Sequence, residues 1–82
     1  MTVRVLVVDD DFAVASLHRA FVEAMSGFTV VGVAHTGADA LAATTALRPD
    51  LVLLDIYLPD MTGLEVLREL RMGPPVDVLV IT

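Results

Sequence analysis

Leu51-Val52-Leu53-Leu54-Asp55-Ile56-Tyr57-Leu58-Pro59-Asp60-Met61-Thr62-Gly63 is the stretch around which the rest of this 82-residue chain is arranged. Its four leading apolar residues are too short a run for a helix and lie between Pro49-Asp50 and Pro59-Asp60. They read as a buried parallel strand. Asp55 then arrives at the carboxyl end of that strand, where open α/β sheets gather their chemistry. The first strand closes the same way, with Val5-Leu6-Val7-Val8 running into Asp9-Asp10-Asp11. If the two strands are neighbours, several carboxylates meet in one crevice, and a bound cation is the economical way to keep them ionised together.

Outward from there the chain alternates. Residues 3–8 give the first strand, and Phe12 to Met25 a helix whose apolar positions are Val14, Leu17, Phe21 and Ala24/Met25, with Arg19 and Glu23 among its polar ones. Ser26-Gly27 ends it. Phe28 to Ala34 is rich in β-formers and is the second strand. After His35-Thr36-Gly37, with Thr36 as a cap, Ala38 to Leu47 forms a second helix buried along Ala40, Leu41, Thr44 and Leu47. Beyond Asp55, Leu64, Val66, Leu67 and Leu70 mark a third helix from Thr62 or Gly63 to Arg71, with Arg68 and Arg71 near its carboxyl end. Gly73-Pro74-Pro75 breaks it, and Val76 to Ile81 is a fourth strand before Thr82. The pattern is β-α-β-α-β-α-β, with each crossover long enough for a helix between parallel strands.

Composition narrows the function. A hydrophobic fraction of 56% suits a sheet covered on both faces. No apolar run reaches the roughly 18 residues of a membrane helix, and Met1-Thr2-Val3-Arg4-Val5 lacks a signal-peptide layout, so a cytoplasmic protein is expected. Without cysteine there is neither a disulfide framework nor a thiolate metal site. A net charge of −6, from five arginines and no lysine against 11 acids, argues against this segment gripping nucleic acid itself.

Four ordered motifs carry a resemblance over the whole chain: Val7-Val8-Asp9-Asp10-Asp11, Leu53-Leu54-Asp55-Ile56, Leu58-Pro59-Asp60-Met61-Thr62-Gly63-Leu64 and Val78-Leu79-Val80-Ile81-Thr82. Together they resemble the receiver domain of bacterial two-component response regulators. Leu17-His18-Arg19, Gly27-Phe28 and Asp55-Ile56-Tyr57-Leu58-Pro59 are most similar to regulators of citrate and C4-dicarboxylate metabolism. The resemblance implies a flavodoxin-like, doubly wound parallel α/β sheet with strand order 2-1-3-4-5. It implies Asp55 as the phospho-acceptor, Asp10 as a direct Mg²⁺ ligand, Asp9 as a ligand acting mainly through water, and the main-chain carbonyl of Tyr57 as a further ligand. Thr82 matches the switch hydroxyl that moves toward the phosphoryl group.

The family acts as a signalling phospho-acceptor and not as a conventional enzyme, although its members catalyse their own phosphorylation and dephosphorylation. The implied partners are a sensor histidine kinase, which the polar face of the first helix could dock, and DNA through a separate helix-turn-helix region. The family also continues with a helix, a fifth strand carrying a lysine and an aromatic switch residue, and a last helix, none of which is in this sequence. Residues 1–82 therefore read as a partial receiver domain: a fragment of a longer regulator, or a chain completed by a second one, with self-association through an exposed edge of the fourth strand.

Plainer readings stand beside these. Taken alone, Asp9-Asp10-Asp11 is a solvated acidic turn, and Asp11 a helix cap outside the metal shell. Asp60 reads as a turn residue, Gly63 as a requirement of backbone geometry, and His18 and His35 as surface or partly packed residues. A competing function is an aspartate-based phosphatase of the haloacid dehalogenase type, with Asp9 and Asp11 as its strand-end pair. That family expects Thr or Val where this chain has Ala13. A pseudo-receiver that is never phosphorylated and works only as an interaction module is the third possibility.

Overall fold

Side-chain alternation sorts the apolar residues of the strands into two layers. In the computed structural model, which describes residues 1–81, the elements are β1 (Val3–Val8), α1 (Phe12–Ala24), β2 (Phe28–Ala34), α2 (Gly37–Leu47), β3 (Leu51–Asp55), α3 (Gly63–Arg71) and β4 (Asp77–Ile81). The strands form one parallel sheet in the order β2-β1-β3-β4. This is the doubly wound, flavodoxin-like arrangement expected from the sequence.

Leu6, Val8, Val52 and Leu54 point to one face and pack with Ala34, Ala40, Val66 and Leu70, so α2 and α3 cover that side. Val5, Val7 and Leu53 point to the other and pack with Ala15 and Val22 of α1. Leu6 and Leu54 have no exposed surface. Truncating either to alanine removes apolar contacts on every side and costs about 2–5 kcal/mol.

Local signals fix the helix starts. The Asp11 carboxylate accepts from the Ala13 and Val14 amides at 2.9 and 3.1 Å and caps α1, and Thr36 Oγ1 accepts from the Asp39 amide at 3.0 Å and caps α2. Thr62 and Glu65 form a reciprocal capping box on α3, whose last turn holds Arg68 and Arg71.

Two expected apolar faces are corrected. In α1 the buried residues are Ala15 and Val22, whereas Val14, Leu17, Phe21 and Met25 are exposed. The sheet takes the stripe through the small Ala15, which lets the helix lie close. Phe21 and Met25 instead border an apolar groove of about 320 Å³ shared with Phe28, Leu79 and Ile81. In α3 Leu64 is exposed, and the buried positions are Gly63, Val66 and Leu70, facing the same core as α2. β4 is hydrogen-bonded to β3 and, among the described residues, is the edge strand, with Leu79 and Val80 exposed.

Candidate functional site

Parallel register brings the acids together. Val8 is paired with Leu54, so the next residue of each strand, Asp9 and Asp55, emerges on one rim of the sheet. Asp9 is held there by three bonds: its amide donates to the Ala34 carbonyl at 3.0 Å, its Oδ1 accepts from the Asp11 amide at 2.9 Å, and its carbonyl pairs with His35 Nδ1 at 2.8 Å. Asp9 is buried, Asp55 half-buried and Asp10 exposed. Each of the three presents a carboxylate oxygen within 4.8 Å of the other two.

Charge in this cluster is not balanced by protein cations. Among the described residues the one side-chain ion pair is Arg19–Glu23, on the exposed surface of α1. Burial raises the Asp55 carboxyl above the usual carboxylate range, and the neighbouring Asp9 and Asp10 charges push it the same way. The Tyr57 amide, which donates to Asp55 Oδ1 at 3.2 Å, works against that rise without cancelling it.

The donor set fits a hard divalent cation. Three carboxylates at a solvent-open rim match the oxygen preference of Mg²⁺, which binds through one or two carboxylates and keeps several waters. Side-chain nitrogen and sulfur donors, which favour transition metals, are not part of the cluster.

The family model described as "Response regulator receiver domain" matches residues 5–82. The chain belongs to the response regulator receiver domain family. The receiver chain is 42% identical over 81 residues to a probable C4-dicarboxylate response regulator, DctR, of Halalkalibacterium halodurans, covering 98% of this chain and 35% of that protein. It is 46% identical over 84 residues to the response regulator MprA of Mycobacterium ulcerans, covering all of this chain and 35% of the relative. The chain thus spans about a third of the length of these curated relatives. Among solved structures it is similar to the response regulator domain of Thermotoga maritima CheB, at a TM-score of 0.94 and 30% identity, covering 98% of this chain and 60% of that one.

Of the expected site residues of this receiver domain, Asp9, Asp10 and Asp55 are brought together. Tyr57 follows closely, its amide on Asp55 and its ring exposed. Thr82 lies outside the described residues. Asp11 caps α1 instead of joining the cluster, so the third carboxylate comes from β3. That arrangement disfavours the haloacid dehalogenase reading, which needs Asp9 and Asp11 to act together.

Two contributors escaped the sequence reading. His35, read as a surface or partly packed residue, bonds the Asp9 main chain and stacks on Phe12 with ring centroids 3.7 Å apart and planes 9° apart. Asp60, assigned to a turn, bonds across to the start of α2. Nothing local in the sequence signals either contact, because the partners are 26 and 23 residues away.

Proposed function

We propose that Asp55 is the phospho-acceptor of a two-component switch, with Asp10, Asp9 and the Tyr57 main-chain carbonyl as the protein's share of a Mg²⁺ site. The observation that carries this reading is the convergence of Asp9, Asp10 and Asp55 at one rim of the sheet. The bound ion would offset repulsion between an anionic carboxylate and an anionic phosphoryl donor.

The chain's own residues then have distinct tasks. An Asp55 carboxylate oxygen attacks the phosphorus of a phosphohistidine on a sensor kinase. The P–N bond breaks, the imidazole leaves with the bonding pair and is protonated, and an acyl phosphate forms on Asp55. The Tyr57 amide orients the attacking carboxylate. Phosphorylation adds about −1.5 to −2 charge at the rim, enough to bias a two-state loop or interface. Thr82 is the proposed hydroxyl that answers that charge.

The kinase would be the natural partner, in the cytoplasm, and the likeness to DctR favours a C4-dicarboxylate-responsive system. DNA contact would fall to a domain other than these residues, whose net charge is −6. Self-association through the β4 edge is the other proposed contact.

Intact-mass analysis of the chain after incubation with acetyl phosphate and Mg²⁺ tests the assignment. One phosphoryl group should appear on the unsubstituted protein and none on Asp55→Asn. Labelling that persists on Asp9 in the Asp55 variant would favour a hydrolase. No labelling of the unsubstituted chain by acetyl phosphate or a phosphohistidine donor would favour the pseudo-receiver.

A further inference from the structure

The loop between β3 and α3, residues 56–62, has a well-held stem. Tyr57 and Thr62 form an antiparallel bridge, and the Gly63 amide donates to the Ile56 carbonyl at 3.0 Å. Its tip is held by a neighbour distant in sequence. Asp60 Oδ1 accepts from the Gly37 amide at 2.7 Å, and Oδ2 accepts from the Ala38 amide at 2.9 Å. These are first-turn amides of α2, which have no partner within the helix. Beside this polar contact the Met61 side chain fills the space over Gly37, where a Cβ would overlap Met61 Cγ and Sδ. The loop tip is therefore seated on α2 by one charge-assisted contact and one packing contact.

Capping alone does not account for this arrangement. α2 already has its own cap in Thr36, which serves the Asp39 amide. Asp60 takes two different amides and reaches them from another element. α2 is itself fixed on the core through Ala40. The loop tip is thus referenced to a packed helix, three residues away from Tyr57. A metal ligand supplied by main chain needs such support, because a site works only when its ligands are held to within about 0.5 Å.

We infer that Asp60 is a positioning residue for the acceptor site: by clamping the β3–α3 loop to the first turn of α2, it fixes the Tyr57 main chain for metal binding. The inference rests on the proposed role of Asp55 and Tyr57.

The test compares Mg²⁺ affinity, measured by calorimetric titration, with thermal stability in four variants. Asp60→Ala should weaken Mg²⁺ binding about tenfold, the lower end of the range for groups that orient metal ligands, and should move the Tyr57 amide resonance. Asp60→Asn, which keeps one acceptor oxygen, should fall between, and it preserves the test if the alanine variant fails to fold. Thr36→Ala removes an α2 cap without touching the loop, so it should lower stability while leaving Mg²⁺ affinity within about twofold. Asp55→Asn should abolish the binding. If Asp55→Asn abolishes binding while both Asp60 variants stay within about twofold of the unsubstituted chain, the inference is wrong and the acceptor reading survives. If Asp55→Asn binds Mg²⁺ as well as the unsubstituted chain, the acceptor reading is wrong and the inference goes with it.

Discussion

Gly63 lies so close to Ile56 that a Cβ on Gly63 would stand 2.7 Å from the Ile56 Cα and 3.2 Å from the Asp55 carbonyl oxygen. The first residue of α3 is thus packed directly on the backbone that leaves β3. The Gly63 amide uses that proximity to bond the Ile56 carbonyl.

Gly63→Ala should therefore destabilise the domain by about 1–3 kcal/mol, the range for forcing atoms into a closely packed site. The gain in helix propensity from alanine, about 1 kcal/mol at an interior position, does not offset a clash with backbone that cannot rotate away. Urea unfolding measures the loss. A Gly63→Ala protein as stable as the unsubstituted one would mean that the loop and α3 can part without penalty.

The sequence carried what is local and periodic, and little else. The strand ends at Asp9 and Asp55 were legible because short apolar runs stop abruptly at carboxylates. The caps at Asp11 and Thr36 were legible because capping side chains act within three residues. The buried stripe of α1 was misread because Val14, Leu17, Phe21 and Met25 have helical spacing as good as that of Ala15 and Val22. Only the sheet decides which stripe it takes. Asp60 and His35 were underestimated because their partners come from other elements.

Arg48 closes α2 in the left-handed region, at φ 48° and ψ 62°. A side chain with a Cβ is strained there, and glycine is not. The contact the residue makes to Arg4 is through its main-chain carbonyl, 2.8 Å from an Arg4 guanidinium nitrogen, and survives substitution. Arg48→Gly should thus raise stability by about 0.5–1 kcal/mol despite the added freedom of the unfolded chain. A fall in the urea midpoint would show that the Arg48 side chain contributes more than its backbone strain removes.

Leu79 is 56% exposed on β4, opposite Leu53 and next to the groove that Phe21 and Met25 border. An edge strand with unpaired backbone groups and an apolar neighbour invites association. The 82-residue chain should show concentration-dependent self-association by analytical ultracentrifugation, and Leu79→Lys should shift it toward monomer without unfolding it. A monodisperse monomer across the concentration range would rule out the edge as a contact.

Asp55 makes the metal-free domain less stable when it is ionised. Its folded pKa is raised by burial and by Asp9 and Asp10, so the folded state holds its proton more tightly than the unfolded state does. The penalty is absent below the ordinary aspartate range, grows as pH climbs to the raised folded value, and is complete above it. Asp60 runs the other way. The Gly37 and Ala38 amides lower its pKa, so its contribution is complete above the ordinary range and is lost as pH falls through the lowered value. At neutral pH in a chelator, Asp55→Asn should consequently be more stable than the unsubstituted chain by about 1 kcal/mol, the upper end for charges this near solvent. The difference should vanish at low pH. Added Mg²⁺ should reverse the order, because a ligand of the native state stabilises it in proportion to occupancy, and the Asn variant lacks the carboxylate charge that holds it. Urea midpoints in chelator and in Mg²⁺ decide the matter; an Asn variant no more stable than its parent without metal would mean that neither burial nor the neighbouring Asp9 and Asp10 charges penalise an ionised Asp55 in the folded state.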